Sequence, residues 1–118
     1  MKMEFRDQII ENIRLFEMIA NDTKMLNNLK KIISTLNGAV VNKLPILVFG
    51  NGGSASDALH ISGELVGRFL VERKPINVIC LNSNVSVMTA WANDYEYETI
   101  FSRQVEAHSK RGGVCWGI

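Results

Sequence analysis

The sequence predicts an α/β fold built on a parallel sheet, and three observations lead there. Short apolar runs of strand length alternate with longer segments of helical periodicity. Each run is apolar throughout rather than at alternate positions, as strands covered on both faces require. The first run, Pro45-Ile46-Leu47-Val48-Phe49, passes through a glycine-rich turn straight into a helical segment.

Taken in order, residues 3–20 place Phe5, Ile9, Ile13, Phe16 and Ala20 at three- and four-residue steps, an amphipathic helix. Asn21-Asp22-Thr23 breaks that helix and supplies N-cap candidates for a second. The second stripe is Leu26, Leu29, Ile33, Leu36 and Val40, and it fades between Gly38 and Asn42. Pro45 precedes the first strand, over about 46–50, and a helix over about 55–69 follows the glycine turn. The apolar sector of that helix is Ala58, Leu59, Ile61, Leu65 and Val66. Arg73-Lys74-Pro75 leads into a second strand, Ile76 to Leu81. Ser83 to Trp91 reads as a short helix ending at Ala92-Asn93-Asp94, and another helix runs from about Tyr97 to Ser109. Gly112-Gly113 opens a third strand, Val114 to Ile118.

The expected organisation is one domain over 1–118, with a helical pair (1–42) and an α/β part (45–118). No strand separates the two leading helices, and their stripes are wider than one thin sheet can cover. A homo-oligomer is therefore expected. An α/β domain would normally continue past a third strand, so the domain is expected to be C-terminally incomplete.

Bulk composition excludes several classes of function. A formal net charge of +1 offers no electrostatic reason to expect nucleic acid or an anionic membrane as partner. Cys80 and Cys115 are too few and too far apart for a disulfide framework or a Cys-rich metal site. Glu4, Asp7 and Glu11 interrupt any signal-peptide core, and no apolar run has the length to span a bilayer. A reduced, cytoplasmic setting is expected.

Chemistry concentrates in Gly50-Asn51-Gly52-Gly53-Ser54-Ala55-Ser56-Asp57. A glycine turn between strand and helix presents free backbone N–H groups at a positive dipole end, a seat for phosphate or another anion. Gly50-x-Gly52-x-x-Ala55 satisfies one form of the dinucleotide fingerprint, but Cys80-Leu81-Asn82-Ser83 supplies no acid for the ribose hydroxyls. No Lys-Ser/Thr pair follows the glycines, which rules out a P-loop. The alternative is a tight turn whose glycines serve backbone geometry alone.

His60 and Glu64 lie one helical turn apart, on the sector shared with Ser56, Asp57, Gly63 and Gly67. Gly63 and Gly67 each cost a helix about 1 kcal/mol relative to Ala, so close approach of a ligand or another backbone is expected there. Such a pair reads either as a solvated surface pair or as a site. As a site, the carboxylate can move a proton between adjacent sugar carbons through an enediol. The same pair offers two ligands to a divalent metal such as Zn²⁺.

Gly50 to Ala55, His60, and Glu64-Leu65-Val66-Gly67-Arg68-Phe69 together resemble the sugar-isomerase (SIS) domain of phosphoheptose isomerases. The likeness continues through Asn93-Asp94-Tyr95 and Ile100-Phe101-Ser102-Arg103-Gln104-Val105-Glu106-Ala107 and covers essentially the whole chain. The resemblance implies a flavodoxin-like, doubly wound sheet in a cytoplasmic homotetramer with one zinc per subunit. It implies conversion of sedoheptulose 7-phosphate to D-glycero-D-manno-heptose 7-phosphate for lipopolysaccharide or capsule. On this likeness Glu64 matches the catalytic carboxylate, and His60 and Glu64 match two zinc ligands. Asn51, Gly52, Gly53, Ser54, Glu64, Arg68, Asn93 and Asp94 match substrate-binding positions. Family members continue into a Ser/Thr-rich phosphate loop and further zinc ligands that this chain lacks, so the isolated chain is expected to be inactive. Gly113 stands where relatives have Asp, and Cys115-Trp116 replaces smaller or aliphatic residues. The alternative is a non-catalytic SIS-fold adaptor resembling the replication-initiator-associating protein, or a phosphosugar-sensing module. That adaptor lacks a glutamate at the position of Glu64, so its presence here favours the enzyme.

Overall fold

The structure, a computed structural model, describes residues 4–118 and divides into two compact units that meet between Thr35 and Leu36. The first unit holds helix α1 (Phe5–Asn21) and the leading half of α2 (Thr23–Val41). The expected helix start at residue 3 lies outside the described residues. Asp22 makes the break between the helices. Its N–H donates to the Ile19 carbonyl at 3.2 Å, and its carboxylate accepts from the Met25 N–H at 2.9 Å. That carboxylate caps α2 as an N-cap aspartate should. No residue of α1 is buried, and Phe5 and Phe16 on its apolar stripe are 85% and 69% exposed.

The second unit takes in the end of α2, because Ala39 is buried and Leu36 and Val40 pack against the core. The boundary therefore falls inside α2 and not after residue 42. Beyond it come β1 (Ile46–Phe49), α3 (Gly53–Val66), β2 (Val78–Cys80), α4 (Val85–Asp94), a 3-10 turn (Tyr97–Thr99), α5 (Ile100–His108) and β3 (Val114–Gly117). The strands are parallel in the order β2-β1-β3, with Ile46 level with Val78 on one side and Val114 on the other. As the central strand, β1 has Ile46, Leu47 and Val48 no more than 1% exposed, which explains its unbroken apolar run. Ile46 and Val48 join Ala58 of α3, Val78 and Cys80 in one cluster. Leu47, between them in the pleat, faces the other way. On α5, Ile100 is buried, and Phe101 stacks near Phe49 with ring centroids 4.9 Å apart.

Several boundaries shift from expectation for identifiable reasons. Helix α3 stops at Val66, short of Phe69. There the Gly67 N–H closes on the Gly63 carbonyl, and the Arg73 guanidinium donates to the carbonyls of Glu64 and Leu65 at 2.7 and 2.8 Å. A cation on terminal carbonyls is a stable helix end. The second strand is shorter than 76–81 because the Ile76 N–H donates to the Leu65 carbonyl. Helix α4 begins at Val85, where the Asn84 side chain accepts from the Val87 N–H, and continues to Asp94. The helix expected from Tyr97 is a 3-10 turn followed by α5. On α3 the buried face is Ala58 and Ser62, while Leu59 and Val66 of the expected sector are about half exposed. Ser62 tolerates burial because its hydroxyl donates to the Leu59 carbonyl at 2.9 Å.

Candidate functional site

In a sheet of this order the strand order reverses between β1 and β3, and ligands of such folds bind outside the carboxyl ends of the strands at that point. The glycine loop leaves β1 at that end. Gly50 is buried, and Asn82 pairs with it both ways. The Gly50 N–H donates to Asn82 Oδ1 at 3.1 Å, and Asn82 Nδ2 donates to the Gly50 carbonyl at 2.7 Å. A Cβ on Gly50 would stand 2.6 Å from the Ser54 Cβ and 2.9 Å from the Ser54 carbonyl carbon, so only glycine lets helix and strand approach this closely. Gly52 turns the chain at φ 60° and ψ −123°, a backbone region side chains disfavour. The helix begins as the Ser54 N–H donates to the Asn51 carbonyl and that of Ala55 to Gly52, both at 3.1 Å. Among the described residues the N–H groups of Gly52 and Gly53 donate to nothing, as an anion seat requires.

About two and three turns along α3, His60 Nε2 lies 3.4 Å from Glu64 Oε1, with side chains 75% and 41% exposed. The pair lies away from the buried Ala58–Ser62 face, as the helical spacing predicts. Apart from the surrounding backbone of α3 itself, nothing among the described residues lies within 4 Å of where a Gly63 Cβ would stand. The close approach expected at Gly63 is therefore not made by any other element among the described residues. Arg68 lies past the end of α3 and pairs with Glu72 at 3.5 Å, both exposed. Asn93, at the end of α4, donates to Asp94 Oδ1 at 2.9 Å.

The loop residues Asn51, Gly52, Gly53 and Ser54 thus come together, and His60 and Glu64 form a pair. Arg68, Asn93 and Asp94 spend their polar contacts on near neighbours. Two residues with clear roles were not singled out from sequence. Asn82 clamps the loop, and its only signal was a polar residue directly after an apolar strand. Tyr97 donates from its hydroxyl to Asn51 Oδ1 at 2.7 Å, across 46 residues of sequence. No local pattern marks that contact. A cleft of about 480 Å³ beside Trp91, Tyr95 and Arg103 contains none of the expected site residues.

His60 and Glu64 have the donor chemistry a zinc ion takes, one imidazole nitrogen and one carboxylate. No cluster of three or more His, Cys, Asp or Glu side chains able to hold a metal occurs among the described residues. The pair could offer two ligands, and a metal bound here would need others from outside the described residues.

A parallel three-stranded sheet, a glycine loop with free backbone N–H groups at its switch point and an acid–imidazole pair on the next helix define an α/β domain of the kind that binds ligands at this end of the sheet. Residues 10–113 match the SIS domain, and the chain belongs to that family. It is 41% identical over 115 residues to the phosphoheptose isomerase of Geotalea daltonii, covering 98% of this chain and 59% of that one. To the phosphoheptose isomerase of Crocosphaera subtropica it is 56% identical over 77 residues, 65% of this chain and 38% of the relative. Among solved structures, a phosphoheptose isomerase from Francisella tularensis superposes with a TM-score of 0.83 at 27% identity, covering 98% of this chain and 61% of that one. One from Neisseria gonorrhoeae gives 0.81 at 29%, covering 93% and 55%. The chain spans about half the length of the curated relatives it matches. No helix among the described residues is long and apolar enough to cross a membrane.

Proposed function

We propose that this chain supplies the glycine loop and the acid–base pair of a phosphoheptose isomerase, which interconverts sedoheptulose 7-phosphate and D-glycero-D-manno-heptose 7-phosphate. The observation that carries the reading is the Glu64 carboxylate beside His60, on the helix that the unpaired N–H groups of Gly52 and Gly53 open. In this reading the loop seats an anionic or hydroxyl group of the phosphosugar, with the Asn51 amide and Ser54 hydroxyl as further partners. Glu64 takes the proton from C1 of the ketose, and the C1–C2 double bond of the enediol forms as the C2 carbonyl oxygen gains a proton; a proton then returns at C2 while the O1 hydroxyl loses its own, leaving the C1 carbonyl of the aldose. Carbon oxidation states exchange between C1 and C2, so no external oxidant is needed.

His60 Nε2 and a Glu64 oxygen would hold a zinc ion together with ligands from outside the described residues. When bound, the ion supplies positive charge for the developing enediolate. A cytoplasmic homotetramer feeding lipopolysaccharide or capsule synthesis belongs to the same proposal. The exposed apolar stripe of α1 supports assembly.

The test is Glu64→Gln in the gene product that carries this chain, assayed with sedoheptulose 7-phosphate. The amide keeps the shape and cannot accept a proton, so turnover should fall about 10²–10⁴-fold. The melting temperature should not change, because Glu64 is 41% exposed and its pairing with His60 adds little stability. Turnover within a factor of a few of wild type removes Glu64 from the reaction.

A further inference from the structure

We infer that Tyr97 is a positioning residue for the sugar-binding loop, acting through Asn51; this rests on the isomerase reading of that loop. Asn51 lies at the tip of the turn between Gly50 and Gly52, where its exposed side chain has rotational freedom of its own. The Tyr97 hydroxyl, 2.7 Å from Asn51 Oδ1, fixes it. A hydroxyl donating to the amide oxygen leaves both Nδ2 protons for another acceptor. Among the described residues Nδ2 donates to nothing. An ordered amide donor beside two free backbone N–H groups suits a sugar hydroxyl or phosphate oxygen.

Tyr97 is itself held firmly enough to do this. It sits in the 3-10 turn whose Thr99 hydroxyl donates to the Glu96 carbonyl at 3.0 Å and accepts from the Trp91 indole N–H at 2.8 Å. Trp91 in turn stacks on Tyr95 at 4.1 Å and carries the Arg103 guanidinium over its ring at 4.9 Å. The corner between α4 and α5 is thus a braced block. Through Phe101 on Phe49, α5 is also tied to the strand from which the glycine loop springs. Strand end and Tyr97 are fixed relative to each other, and the 2.7 Å bond spans the remaining gap.

Tyr97→Phe removes the hydroxyl and keeps the ring. One hydrogen bond at a half-exposed site is worth about 0.5–1.5 kcal/mol, so KM for sedoheptulose 7-phosphate should rise about 2–10-fold, with kcat within twofold. In an Asn51→Ala background the same substitution should change nothing further, an outcome that a merely structural role for Tyr97 does not produce. The Asn51 side-chain amide resonances should also shift in Tyr97→Phe, a readout independent of activity. An unchanged KM, unchanged amide resonances, or an equal effect of Tyr97→Phe with and without Asn51 would overturn the inference. If the wild-type protein does not turn over the sugar, the isomerase reading fails separately. Binding of inorganic phosphate then decides the role of Tyr97. Weakening in Tyr97→Phe that vanishes in Asn51→Ala supports it, and equal affinity or no phosphate binding at all overturns it.

Discussion

Replacing Gly50 by alanine tests the central packing of the site. The added Cβ would meet the Ser54 Cβ at 2.6 Å and the Ser54 carbonyl carbon and oxygen at 2.9 Å. Carbon atoms in contact prefer about 3.5–4.0 Å, so the start of α3 must retreat by roughly 1 Å. Two of the three atoms are backbone, and no rotamer change relieves them. Overpacking of this kind costs about 1–3 kcal/mol. The smaller entropy of the unfolded alanine chain returns about 0.4–1 kcal/mol, leaving a net loss of about 1–2 kcal/mol. An unfolding entropy of about 2.1 cal/mol/K per residue gives about 0.25 kcal/mol/K for 118 residues. The melting temperature should then fall by about 4–8 °C. Gly63→Ala is the control with the opposite sign. Its Cβ meets nothing within 4 Å, so alanine contributes up to about 1 kcal/mol of helix propensity and should raise the melting temperature by about 2–4 °C. Thermal unfolding followed by circular dichroism measures both. A Gly50→Ala protein as stable as wild type would refute the close packing of loop on helix. A destabilised Gly63→Ala protein would show that another surface meets that face.

Asn82→Ala leaves the Gly50 N–H and carbonyl, both in a buried segment, without partners. At about 1–3 kcal/mol for each of the two groups the loss should be about 2–6 kcal/mol, read from a urea melt. A loss below about 1 kcal/mol would mean that the clamp is not holding the loop. Phe16→Lys should dissociate the expected oligomer in sedimentation without lowering the stability of the monomer, because Phe16 is 69% exposed in the single chain. A species of unchanged mass would place assembly elsewhere.

Much of the sheet was legible in the sequence because its signal is local. An apolar run such as Ile46 to Phe49 has few uses other than a strand buried on both faces. The glycine loop was legible for the same reason, since strand, turn and helix follow one another without a gap. What escaped depends on groups distant in sequence. Arg73 ends α3 by reaching back eight and nine residues to carbonyls that a periodicity cannot see. Leu59 and Val66 fit the apolar sector by angle, yet the sheet meets α3 along Ala58 and Ser62, which leaves both about half exposed. The Tyr97–Asn51 bond joins segments 46 residues apart, and only the folded chain brings them together. His60 and Glu64 were legible as a pair from their spacing alone, and the fold adds that both remain open to solvent.

The most direct measurement is isomerisation of sedoheptulose 7-phosphate in D₂O by the gene product that carries this chain, with the label in the product located by NMR. Glu64 is 41% exposed, so a proton it takes from C1 can exchange with solvent before one is returned. Deuterium at C2 of the aldose, with product formation by Glu64→Gln slowed about 10²–10⁴-fold, is the expected result. Product formed at an undiminished rate by Glu64→Gln would contradict proton transfer by this carboxylate.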